Sequence, residues 1–206
     1  RRVRLRSDGS AYYGNERRAN WTARESEAGN AMSSHPETRF DSPRLGNLIL
    51  AALSDADYLE LTPLLDAHPL RMREALQEAG EPAAYIYFPV SGVISVLTVL
   101  ESGMMIEFAT VGAEGTTGVP SFLGFGQANT ALISQIPGRA FRLSRADFAE
   151  SIRRLPTLAA ALRRYSGLML ALVSQSAACN RAHHVDSRCA RWLLMSEDRV
   201  GRNGFD

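Results

Sequence analysis

The stretch GAEGTTGVPSFLGFGQANTAL, Gly112 to Leu132, carries five glycines in its first fifteen residues. Glycine at that density lets backbone N–H groups approach a ligand closely, and phosphate is the ligand most often held that way. A phosphate cradle also wants a cation, yet neither Arg nor Lys occurs between Gly112 and Gly138. A second cluster, CNRAHHVDSRC at 179–189, has metal-ligating residue types. Cys179 and His183 are four apart and share a helical face, but Cys189 points elsewhere and neither CxxC nor HxxxH spacing occurs. Packing is the better reading there, so the expectation is no metal and no cofactor.

Other chemistries fail on inventory. The histidines are His35, His68, His183 and His184, so none falls between residues 79 and 145, and no cysteine does either. A β-barrel metal centre or a haem would need such ligands on its strands. GxSxG is absent, the glycines at 112 and 115 do not lead to Gly-Lys-Ser/Thr, and GFGQAN lacks the third glycine of a dinucleotide fingerprint. No catalytic residue is assigned, and the expectation is a protein that is not an enzyme.

The elements around the glycines read as α+β. Of 206 residues, 45% are apolar and 22% charged, an ordinary globular balance, and the net charge of +1 gives no global pull toward nucleic acid or membrane. Two cysteines suit a reducing compartment, and no apolar run approaches the roughly 18 residues that span a bilayer. A cytoplasmic location with no membrane partner follows as an expectation. Residues 1–44 lack periodicity and read as a disordered leader, with Met32 a candidate native start.

From Asn47, NLILAALSDADYLELTPLLDAHPL has a helix–turn–helix-like leucine rhythm, with Ser54 and Asp55 a plausible N-cap for the second helix. From Ala79 to Leu143, Val, Ile, Tyr and Phe dominate. Pro89, Gly92, the 101–103 turn and Gly112 cut this run into short strands, and a Pro137-Gly138 turn separates two more. The spacing predicts a small antiparallel β-roll, jelly-roll-like, flanked by N-terminal helices, within residues 45–156. Ser144 caps a short helix after it.

A long helix is predicted from Thr157 toward Arg199. Leu158, Leu162, Tyr165, Met169, Leu172, Ser176, Cys179 and His183 recur at alternating spacings of four and three, a heptad seam. The segment 157–184 is read as a dimerisation helix, with Leu158, Leu162, Tyr165, Met169, Leu172, Ser176 and Cys179 at the interface of a homodimer. Leu168 and Val173 broaden the apolar face, so that another side could pack on the roll.

GEPAAYIYFPVSGVISVL, VGAEGTTGVPSFLG and VDSRCARWLLMSEDRVG, in that order and spacing over residues 45–206, resemble the catabolite-activator-like (Crp/Fnr) transcription regulators. Val185, Arg188, Ala190, Leu193 and Leu194 match the family's hinge and following helix, so the resemblance makes 185–206 a hinge and the start of a truncated DNA-binding region. It implies an effector-sensing, dimerising domain, which would touch DNA only if a helix-turn-helix followed residue 206. The effector, if there is one, would be an unknown small molecule.

In cyclic-nucleotide-binding members a cassette Glu holds the ribose and an Arg neutralises the phosphate. Laid on this chain, Gly118-Val119-Pro120 meets the family's Gly-Glu-Leu, and Asn129-Thr130-Ala131 meets its Arg-Ser/Thr-Ala. The resemblance therefore marks Gly118, Val119, Gln127, Asn129 and Thr130 as a degenerate ligand cassette that has lost both charges. It implies a sensor that does not respond to cyclic AMP. The alternative is a stand-alone module that pairs with a full-length regulator through the long helix.

Overall fold

A computed structural model describes residues 4–5, 11–12, 43–125 and 130–200. Gln127 and Asn129, most of the expected leader and the last six residues lie outside the described residues. Within the leader, β1 (Arg4–Leu5) pairs antiparallel with β2 (Ala11–Tyr12), so the expectation of irregular chain throughout 1–44 does not hold for these two dipeptides.

Three short helices follow: α1 (Pro43–Gly46), α2 (Leu48–Ala51) and α3 (Asp55–Leu61). Their caps are local chemistry. Ser54 accepts from the Asp57 N–H, as its position predicts, and Asn47 caps α2 by accepting from the Ile49 and Leu50 N–H groups. Asn47 does more, because its amide also donates to the Pro89 and Gly115 carbonyls, both at 2.8 Å, in a site where it is 1% exposed.

The helical rhythm stops earlier than the leucines suggest. A 3-10 turn at Thr62–Leu64 is followed by strand β3 (Asp66–Leu70), and β4 (Ala75–Gln77) comes soon after. The expected helix over DAHPL is therefore wrong. Its only buried residue is Leu70, and its pairing to β7 supplies the order that its sequence lacks. Pro69 is tolerated because β3 is an edge strand.

The roll itself is built from β5 (Tyr85–Val99), β6 (Met105–Val111) and β7 (Thr130–Ser144), all antiparallel, in the order β3-β7-β5-β6 with β4 also on β7. Pro89, Gly92 and Pro137-Gly138 do not cut strands apart. β5 and β7 each run 15 residues and bend together at one corner, where the pairing shifts between Pro89, Ser91, Val93 and Ile94. Gly92 has φ +78°, which L-residues avoid, and a Cβ on it would lie 2.5 Å from the Ile136 carbonyl. Paired bulges, rather than a turn, resolve the corner.

Two cores result. One joins α2, α3, α5 (Arg145–Arg154) and α6 (Pro156–Ala182) to Ile86, Phe88 and Leu143 of the roll. The other fills the roll with Tyr87, Ile94, Val96, Val111 and Leu132. Met169 of α6 packs against both. Ser144 caps α5 as predicted, accepting from the Asp147 N–H.

Helix α6 has no cap of its own. Its Thr157 N–H donates instead to the Asp57 carboxylate at 2.9 Å, a negative group placed where a helix N-terminus favours one. The Thr157 hydroxyl, more than any other contact, holds the Asp57 carboxyl below its ordinary value. Helix α6 ends before His183-His184, and α7 (Val185–Val200) begins directly after them, so the predicted long helix is two.

The seam assignment is corrected for its first half. Leu158 and Leu162 are 0% exposed and Tyr165 is 5% exposed, all inside the chain's own helical core. A second copy cannot occupy the same face. Met169 is likewise engaged by both cores, Leu172 and Ser176 are half-buried, and Cys179 is buried. Leu168 and Leu170 point away, at 64% and 69% exposure.

Candidate functional site

The glycines of the 112–126 stretch make room for this protein's own side chains. A Cβ at Gly115 would fall 2.0 Å from the Tyr165 hydroxyl, and one at Gly118 would fall 2.6 Å from Phe148 Cζ and 2.8 Å from Ile86 Cγ2. At Gly112 the neighbours are the Glu114 carboxylate at 2.6 Å and the Arg199 side chain at 2.9 Å. The density that resembled an anion cradle is thus explained by packing at three of its five positions. Gly124, with φ +87°, serves a turn.

The hydroxyls of this segment are also committed. Thr116 Oγ1 donates to the Tyr87 carbonyl at 2.8 Å, and the Thr117 hydroxyl accepts from the Tyr87 N–H at 3.0 Å. These bonds stitch the cassette to β5 like a short extra strand. After them, Gly118 leads into a four-residue helix, α4 (Val119–Phe122).

Above this floor lies a cavity of about 120 Å³ between the roll and α6. Val119 and Thr130, two of the five cassette residues, line it; Gly118 sits instead against Phe148 and Ile86. Gln127 and Asn129 lie outside the described residues. Sequence reasoning missed the rest of the wall, which includes Val96, Phe108, Val111, Leu132 and Met169. Met169 alone had a signal, its place on the seam. The wall's contribution from β5 and β6 had none, because alternate residues of any strand face inward.

No ionisable side chain lines the cavity among the described residues. Arg142 is occupied elsewhere: its guanidinium lies 4.2 Å from the centre of the Tyr85 ring and 3.3 Å from His68 Nδ1. Arg139 does not line the cavity either. Tyr165 packs instead against Gly115, and burial pushes its phenol well above the ordinary value, so it stays neutral.

The charges gather instead on the flank of the roll under α7. Arg199 Nε donates to Glu114 at 2.7 Å, and its Nη2 donates to the Thr110 carbonyl at 3.3 Å, with only 10% of the Arg199 side chain exposed. Glu107 is nearby, accepting from Ser95 Oγ at 2.6 Å and from Gln135 Nε2 at 3.3 Å. Burial raises its carboxyl above the ordinary 4.5, against the opposing pull of Ser95, Trp192 and Arg199.

A raised folded-state value means that the folded chain holds this proton more tightly than the unfolded chain. Stability from this group is therefore present below about pH 4.5 and lost as pH rises through the raised value. Glu107→Gln should remove that loss. Urea denaturation at mildly acid and at neutral pH should show the variant gaining on the wild type as pH rises. Parallel pH profiles would show that Glu107 does not carry the effect.

Cys179 and His183 do share a recess, with Ser187, Arg188 and Arg191 as its other walls. Its charged neighbours are guanidinium groups, which repel cations, and the Cys179 sulfur accepts from Gln175 Nε2 at 3.2 Å. Among the described residues no group of three or more His, Cys, Asp or Glu could hold a metal ion. No helix of the described residues is long and apolar enough to cross a membrane.

Known proteins place this geometry. Residues 67–154 match the family described as the cyclic nucleotide-binding domain. No curated protein sequence matches the chain. Among solved structures it is similar to the c-di-GMP responsive global regulator CLP of Xanthomonas campestris, at 14% identity and TM-score 0.57, covering 68% of this chain and 71% of that one. It is also similar to the regulatory subunit of a cAMP-independent protein kinase A from Trypanosoma brucei, at 18% identity and TM-score 0.50 over 57% of this chain. The Trypanosoma cruzi counterpart, solved with guanosine, gives 18% and 0.51 over 59%. The chain spans less than half of those kinase-subunit chains, 42% and 43%. The cavity walls given by β5, β6 and the 116–121 segment fall inside the residues that match the cyclic nucleotide-binding domain.

Proposed function

We propose that this chain is the effector-sensing and self-associating part of a Crp/Fnr-type transcription regulator, without catalytic activity, and that cyclic AMP is not its effector. The observation that carries this reading is the uncharged cleft between roll and α6, with Val119 where the resemblance expects a ribose-binding Glu. A cyclic phosphate there forfeits a charge-assisted contact of about 1.5–3 kcal/mol, roughly one to two orders of magnitude in affinity. Pro120 also withholds an N–H from the cassette. That the T. cruzi subunit was solved with a neutral nucleoside supports the fold's capacity to take ligands without a phosphate.

Titration calorimetry of the full chain should give no cyclic AMP binding up to roughly 1 mM. Sub-micromolar affinity would overturn the reading. Self-association is assigned to the exposed flank of α6 that carries Leu168. Light scattering should report a dimer that Leu168→Arg converts to monomer. A wild-type monomer that pairs only with a longer homologous regulator would favour the second reading, a partner module using the same flank of the long helix.

A further inference from the structure

We propose that the cavity between the roll and α6 binds a neutral, predominantly apolar small molecule about the size of a single ring. This deepens the sensor reading above and rests on it, by naming the ligand class. Three observations converge. First, the walls from Val96, Phe108, Val111, Val119, Leu132 and Met169 are hydrocarbon or thioether. Second, most of the polar groups in the lining are already spent. Thr116 and Thr117 bond both backbone groups of Tyr87, and the Gln77 amide donates to the Thr130 carbonyl at 3.1 Å. A ligand rich in donors and acceptors would find few partners and would lose its hydration.

Third, no charge can enter from the cassette itself. Between Phe125 and Thr130, which both line the cavity, the sequence is Gly-Gln-Ala-Asn, with no ionisable side chain. An anion or cation in the cleft would therefore be buried without a counter-charge, the most expensive burial there is. The volume sets the scale. About 120 Å³ is close to the roughly 150 Å³ of an engineered apolar cavity known to take benzene. The Ser121 and Thr130 side chains at the wall would accommodate one hydroxyl on such a ring.

The ligand would touch Met169, the one α6 side chain that lines the cavity. That contact offers a direct readout. With the full chain labelled at the methionine methyl groups, toluene or para-cresol should shift the Met169 resonance and raise the melting temperature by about 3–5 °C at ten times its dissociation constant. Benzoate, the charged counterpart of toluene, should do neither. Ala109→Phe, which places a ring in the cavity from β6, should abolish the toluene response. Should that variant fail to fold, the contrast between toluene and benzoate on the wild-type chain decides alone.

Absence of any toluene or para-cresol effect at saturation would overturn the ligand class and leave the sensor reading standing. Benzoate perturbing Met169 as strongly as toluene would overturn it too, because a hidden cation would then be required. Tight cyclic AMP binding would overturn the sensor reading and this inference together.

Discussion

Gly138→Val should destabilise the chain by about 3 kcal/mol or more, a fall of roughly 6–12 °C in melting temperature. A Cβ at Gly138 would lie 2.3 Å from the Ser91 carbonyl oxygen, 2.5 Å from its carbon and 2.6 Å from the Gly92 nitrogen. All three are backbone atoms of the facing strand, so no side chain can swing away. Relief requires β5 and β7 to separate at the corner where the Arg139 N–H now donates to Ser91 Oγ at 3.0 Å. Gly103→Ala is the matched control. Gly103 has φ +79° but open space around it, so only the conformational cost of about 1 kcal/mol is expected. Thermal melts of the two variants should therefore differ by several degrees. Equal losses would mean that the corner has no steric role.

Phe148→Ala should cost about 3–5 kcal/mol, the range for deleting a buried aromatic ring. Phe148 is 1% exposed and its ring centre lies 6.4 Å from that of Phe88, in a tilted pair at the heart of the helical core. Its Cζ also lies directly beneath Gly118, so the same ring supports the cassette from below. That geometry makes a sharper claim than instability. Gly118→Ala, whose Cβ meets Phe148 at 2.6 Å, should be harmful in the wild type and milder once the ring is gone. A double-mutant cycle by chemical denaturation should return a coupling of about 0.5–3 kcal/mol. Additive losses would mean that ring and glycine do not share the space.

These two sites also mark where the sequence was legible and where it was not. The caps at Ser54 and Ser144 were readable because a side chain and the N–H it serves lie within one turn. Strand content over 79–143 was readable from β-branched and aromatic residues. The Pro137-Gly138 pair misled, since Pro and Gly serve a turn and a paired bulge equally well, and only the partner strand decides. The segment at Asp66–Leu70 misled for a related reason, its strand character being imposed by β7.

Spacings of four and three likewise describe any helix with one apolar face. Whether Leu158 and Leu162 meet a second chain or their own roll depends on tertiary packing, which the seam does not encode. For the site, the absence of charge at Val119 was visible in the residues. The positive content of the cavity was not, because Val96, Phe108 and Val111 converge on Met169 only through sheet register and helix placement.

The four hydrogen bonds of Asn47 have a further consequence. One amide holds the start of α2, the Pro89 carbonyl of β5 and the Gly115 carbonyl of the cassette at once. Coupling through such a clasp is reciprocal: whatever stiffens the cassette must steady α2 by the same free energy, and a disturbance of α2 must weaken the cassette's hold on its occupant. Were the cleft occupied as proposed, its occupancy would be written into the exchange rates of the Ile49 and Leu50 amides, far along the chain from the residues that line the cleft. In the proposed sensor, the N-terminal helices would be its listening end.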